Sequence, residues 1–124
     1  MRNFTGNRGF TLVEVMVALF LLVVGILGTI TVTTTVMGGN MFSKGTTTAS
    51  TLAQYKMEEL KGTAYASLAS STSPETVESL YTRSWTVSAA DTPATGMKTI
   101  EVTVNFSWKG VVRTVTLKTI VADI

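Results

Sequence analysis

Residues Phe10 to Ile30 read FTLVEVMVALFLLVVGILGTI, and the fold turns on how this stretch is read. At about 1.5 Å per residue, 21 helical positions extend roughly 31 Å, the thickness of a bilayer's hydrocarbon core. The charge-free run is longer still, since none of the 29 residues from Val15 through Ser43 carries a formal charge. A soluble helix this apolar must be buried on every side, and roughly 80 remaining residues are too few to surround it. A cleaved secretory signal wants a shorter apolar run and a small-x-small site, which residues 31–40, TVTTTVMGGN, do not offer. The remaining reading is a spanning helix retained in the protein. Arg2 and Arg8 precede it, and Lys44 is the first cation beyond it. That asymmetry puts the N-terminus in the cytoplasm and the rest of the chain outside.

Composition narrows the function. The chain has 124 residues, 45% of them hydrophobic, with no Cys and no His. It is long enough for one small core. Without Cys or His it has no disulfide, no thiol nucleophile, no thiolate or imidazole metal site and no imidazole base. No catalytic constellation stands out, so no enzyme activity, cofactor or metal site is expected. The ten Lys and Arg against eight Asp and Glu are scattered singly, without aromatic interleaving, so direct nucleic-acid binding is not expected. Asp91 is too lonely an acid to make its loop a calcium site.

Glu14 is the anomaly in the apolar run. A carboxylate within a spanning helix costs roughly 2.5–3.5 kcal/mol at the centre. One turn from the cytoplasmic edge it is tolerable as an interfacial residue; deeper, it calls for a cation. Arg8 is the only side-chain cation near it in sequence.

The residues Arg8-Gly9-Phe10-Thr11-Leu12-Val13-Glu14, followed by the apolar run, resemble the type IV prepilin signature. The resemblance implies a leader over residues 1–9, cleavage after Gly9 by a prepilin peptidase and N-methyltransferase, and methylation of the new N-terminus at Phe10. Cleavage on the cytoplasmic side leaves the membrane helix in the mature chain. It also creates an ammonium at Phe10, the cation that Glu14 lacks. In family members the carboxylate is thought to neutralise a neighbouring subunit's N-terminus. An intramolecular contact is equally open, because positions i and i+4 share a helix face. At Gly9 the missing Cβ lets the scissile backbone extend into a peptidase site. Loss of Arg2 and Arg8 with the leader would leave eight cations against eight acids.

Beyond the span, Thr29 to Val36 is a run of eight β-branched residues flanked by Gly25, Gly28, Gly38 and Gly39. Gly costs a helix about 1 kcal/mol relative to Ala, and β-branched residues about half that. Residues 25–39 are therefore the helix weak points, where it either bends or melts on assembly or simply ends at the interface. From Thr46 the helical period returns. Ala49, Leu52, Ala53, Met57, Leu60, Ala64 and Leu68 form an apolar stripe. Gln54, Lys56, Glu58, Glu59 and Lys61 supply polar surface, and Gly62 with Lys61 marks the end of the regular part. The phrase LAQYKMEELK resembles the segment after the transmembrane helix in PilV-type minor pilins and minor pseudopilins.

Residues 69–78 read as a linker in which Ser73-Pro74 starts a short turn of helix. Three strands follow, at 82–89, 98–108 and 111–121, the last two joined by a tight turn at Lys109-Gly110. Arg113 falls on the apolar face of its strand, which requires an open sheet end or a bulge. Trp85 and Trp108 read as core or sheet-edge residues. A sheet this small needs a cover, and the Ala49–Leu68 stripe provides it. The expected fold is α+β: a long N-terminal helix, membrane-spanning over residues 10–32 and amphipathic over 33–68, packed on a small antiparallel sheet within 69–124. The resemblance implies a structural subunit, a minor pilin, of a type IV pilus-like filament. It would be made as an inner-membrane precursor, held in lipid, and assembled with other pilins or pseudopilins by an inner-membrane platform into a pilus or periplasmic filament. A minor pseudopilin of a type II secretion system, a major pilin, and a non-polymerising anchored binding module are the alternatives.

Overall fold

A computed structural model of the chain describes residues 9–124. Residues 1–8 of the expected leader, with Arg2 and Arg8, lie outside the described residues. A single helix, α1 (Leu12–Lys61), is followed by a 3-10 turn at Tyr65–Ser67 and four strands: β1 (Glu75–Val77), β2 (Tyr81–Val87), β3 (Met97–Trp108) and β4 (Val111–Ala122). The strands form one antiparallel sheet in the order β1-β2-β3-β4. This is the expected α+β arrangement, a long apolar N-terminal helix whose later turns pack on a small antiparallel sheet. The chain divides into two compact units, one ending at Asn40 and the other running Met41–Ile124.

In the first unit α1 is apolar all round. Leu12, Met16, Leu19, Phe20, Leu21, Val23 and Ile26 are all exposed, and none of the most apolar window is buried by protein. A helix apolar on every side suits a membrane. It continues unbroken through Gly25, Gly28, Gly38 and Gly39. The Thr-rich segment keeps its hydroxyls satisfied internally: Thr29 donates to the Ile26 carbonyl at 2.8 Å, Thr33 to Thr29 at 2.9 Å and Thr35 to Thr31 at 3.0 Å. Hydroxyls bonded back onto their own helix need no water, which removes the cost of placing them in lipid.

In the second unit the stripe on α1 meets the alternating face of β3. Ala49, Ala53, Met57 and Leu60 are buried against Ile100, Val102, Val104 and Phe106, with Leu68 closing the far end. The small residues Ala49 and Ala53 let helix and sheet approach closely. Gly45 extends that approach, since a Cβ there would come within 2.9 Å of the Phe106 ring. The Lys109-Gly110 turn has positive φ at both residues, 49° and 76°, as a two-residue hairpin of this hand requires.

Three readings of the sequence are corrected, and a fourth is settled between its two alternatives. The helix ends at Lys61 and does not run on to Leu68. Gly62 and Thr63 donate back to Glu58 and Leu60, the chain turns, and Ala64 is left exposed. Residues 69–78 are no simple linker: Ser73-Pro74 starts no helix, and Glu75–Val77 forms the edge strand β1, paired to Tyr81–Arg83. A three-residue strand carries too little periodicity to be seen in sequence. Lys56 is not polar surface. It lies buried with its ammonium 4.0 Å above the Trp85 ring and 2.8 Å from Glu59. For Arg113 the open sheet end holds and not the bulge, because the β3–β4 register is unbroken and pairs it with Phe106 near the hairpin end.

Candidate functional site

The site expected from the sequence is the start of α1. Gly9 and Phe10 precede the helix, belong to no regular element and are exposed, and the helix begins at Leu12. Phe10 is 84% exposed, and among the described residues a Cβ on Gly9 would meet nothing within 4 Å.

Thr11 starts the helix. Its hydroxyl accepts the backbone N–H of Glu14 at 3.2 Å, and its carbonyl accepts the N–H of Val15 at 3.2 Å. Thr-x-x-Glu ahead of an apolar run is the sequence form of a capping box, with Thr as N-cap and Glu at the third helical position. That signal is local to Thr11–Glu14 and readable in the sequence alone, beside the charge that makes Glu14 an anomaly in an apolar run. The structure gives the residue a second role. As the acid of the first turn it faces the positive end of the helix dipole, worth about 0.3–1 kcal/mol at an exposed site.

Phe10, Glu14, Val15, Ala18, Leu19 and Leu22 line one shallow groove along the helix. Phe10 and Glu14 thus share a face, with apolar side chains on either side. Among the described residues the Glu14 carboxylate is in no ion pair. A groove that is apolar except for one carboxylate suits a second apolar helix bringing a cation.

The other residues singled out lie elsewhere. Gly25, Gly28, Gly38 and Gly39 are farther along α1, and a Cβ at Gly25, Gly28 or Gly39 would enter open space. Asp91 spends its carboxylate on the Gly96 N–H at 2.6 Å, which closes the 91–96 loop. Trp85 is half-buried, its indole N–H donating to the Ala69 carbonyl at 3.1 Å, and Trp108 is half-buried beside Phe42.

Residues 5–30 match the model of the prokaryotic N-terminal methylation motif, the type IV prepilin-like signal. The match spans Gly9, Phe10, Glu14 and most of the apolar run. No curated protein and no solved structure matches the chain. The match covers 26 of the 124 residues, and with the exposed apolar helix it makes the N-terminal part of the chain similar to the signal of type IV pilin- and pseudopilin-like precursors, a signal that implies processing by a prepilin peptidase and assembly with other pilins. Both are consistent with an inner-membrane precursor.

Proposed function

We propose that the chain is a minor pilin, a structural subunit of a type IV pilus-like filament with no catalytic role. The precursor sits in the inner membrane with its N-terminus cytoplasmic. Prepilin peptidase cuts after Gly9 and methylates Phe10, and an assembly platform moves α1 from lipid into a bundle of like helices. Apolar burial is similar before and after, so the step is driven by what lipid cannot provide, a cation for Glu14 on a neighbour's N-terminus. The observation that carries the reading is the methylation motif at residues 5–30 on a helix with no protein around it. The lack of Cys and the small second unit favour a minor over a major subunit.

Intact-mass measurement of the protein from cells tests this. The expected species lacks residues 1–9 and carries one added methyl group. A retained leader, or a cut beyond the apolar run, overturns the reading. Gly9→Leu should accumulate as full-length membrane precursor. Sparse representation in sheared filaments would separate a minor from a major subunit.

A further inference from the structure

The two edges of the sheet are finished differently. On the β1 side the edge strand is three residues long, and beyond it Ser70 and Ser71 occupy the rest of the β2 edge through hydrogen bonds to Val87 and Trp85. On the other side β4 runs twelve residues with no Pro, no Gly and an unbroken register, and among the described residues nothing pairs with its outer edge. Proteins usually blunt such an edge, because its free N–H and C=O groups accept any extended chain.

The ladder fixes which groups are free. A two-residue hairpin closes on a hydrogen-bonded pair, here Trp108 and Val111. Odd-numbered residues of β4 therefore bond to β3, a pattern that Asp123 continues by donating to the Gly96 carbonyl at 2.7 Å. Even-numbered residues, from Val112 to Ala122, turn their N–H and C=O groups outward.

The side chains along this edge read alike in both directions about Thr116. In VVRTVTLKTIV, residues 111–121, Val115 mirrors Leu117, Val112 mirrors Ile120 and Val111 mirrors Val121. The cations fall opposite hydroxyls, Arg113 mirroring Thr119 and Lys118 mirroring Thr114. Val112 and Ile120 are exposed on the sheet face away from the β3 core residues, the face on which β3 presents Thr99, Glu101, Thr103, Asn105 and Ser107.

We infer that two copies of the second unit join β4 to β4, antiparallel about a two-fold axis through Thr116, into one continuous sheet. About that centre each apolar side chain meets an apolar one, each cation faces a Thr, and the outward N–H and C=O groups of Thr114, Thr116 and Lys118 find partners. Neighbouring centres fail. A centre at Val115 sets Val112 against Lys118 and Arg113 against Leu117, and one at Leu117 sets Thr114 against Ile120 and Arg113 against Val121. The β1 edge of another copy is too short to replace β4. Such a contact is closed, so it makes a pair and does not propagate, unlike the stacking in the proposed filament. It stands independently of that filament.

The test uses the full chain in detergent micelles, with amide exchange followed in a concentrated sample and after dilution with excess detergent. The Thr114, Thr116 and Lys118 amides should exchange about tenfold slower in the concentrated sample, while those of Val115 and Leu117, bonded to β3, stay protected in both. Fast exchange of the even-numbered amides in both samples overturns the inference. Single cysteines in this Cys-free chain read the register. Facing Cα atoms of a hydrogen-bonded pair are about 5.5 Å apart, within disulfide reach, so Thr116→Cys should cross-link under mild oxidation. Thr114→Cys should not, because its two copies lie about 13 Å apart along the strands. Cross-linking at both positions alike marks chance encounter or association through α1, and overturns the two-fold pairing. Thr114→Glu sets an acid against the partner's Lys118 and should move the exchange midpoint to an about threefold lower protein concentration, whereas Thr114→Lys should raise it. A midpoint that neither substitution moves also overturns the pairing.

Discussion

The buried Arg83 of β2 donates from Nη1 to the Leu52 carbonyl of α1 at 3.1 Å, and its other nitrogens hold the Glu75 carboxylate on β1. One guanidinium thus fastens an edge strand and the later turns of α1 to the same point in the sheet. The Arg side chain is 10% exposed and that of Glu75 39%. Removing Glu75 leaves a buried, half-satisfied cation, whereas removing Arg83 leaves an acid that can turn to water. Glu75→Ala should therefore cost about 2 kcal/mol, below the full penalty for a dry pair because Glu75 is partly wet. Arg83→Met, which fills the same volume, should cost less. Thermal melts of the two variants check the order, and a larger loss for Arg83→Met would reverse this assignment.

Gly45 tests how closely the helix lies on the sheet. Any side chain there meets the Phe106 ring, which is held in turn by contacts with Phe42 and Tyr81, at centroid distances of 6.5 and 5.8 Å. Gly45→Leu should destabilise by about 1–3 kcal/mol, the usual cost of overpacking, and lower Tm by at least about 4 °C. In Gly45→Ala a helix-propensity gain of about 1 kcal/mol opposes the ring displacement, so its melt should stay near that of the parent.

What the sequence made legible was whatever repeats. The stripe through Ala49, Ala53, Met57 and Leu60 and the alternation of Ile100, Val102, Val104 and Phe106 are each one face of a regular element against a core. Periodicity reports that directly. What stayed hidden depends on partners far along the chain. β1 exists because Tyr81–Arg83 and the Arg83–Glu75 pair hold it. The rest of the β2 edge is closed by the hydroxyls of Ser70 and Ser71, which accept the N–H groups of Val87 and Trp85. Lys56 is buried because an aromatic face 29 residues away receives it. At the candidate site the reverse happened. The Thr11–Glu14 cap is local and readable from four residues, but it shares Glu14 with the charge anomaly, which masks it.

That cap is itself testable. Thr11→Val removes the hydroxyl that accepts the Glu14 N–H, and loss of an N-cap costs about 1 kcal/mol. In detergent micelles the Glu14 amide should exchange about fivefold faster, the factor that energy corresponds to. Thr11→Ser, which keeps the acceptor, should leave exchange unchanged. Unchanged exchange in Thr11→Val would mean that the first turn is fixed by other contacts.

Glu14→Ala separates membrane residence from assembly, because the two should move in opposite directions. Deleting a carboxylate from an apolar helix relieves an insertion cost of up to about 3 kcal/mol, so the variant should be processed after Gly9 and held at least as firmly by the membrane. In the proposed bundle of like helices the same deletion would leave a neighbour's Phe10 ammonium without its counter-charge. A loss of only about 1.4 kcal/mol per contact is tenfold in equilibrium, so filament incorporation should fall at least that far. A variant that merely misfolded would lose both properties together, and Glu14→Gln, which keeps the shape without the charge, should behave like the Ala variant. The measurement is the ratio of processed subunit in sheared filaments to that left in membranes. If Glu14→Ala leaves that ratio unchanged, Glu14 serves only as the third residue of its own helix, and charge pairing between subunits is ruled out.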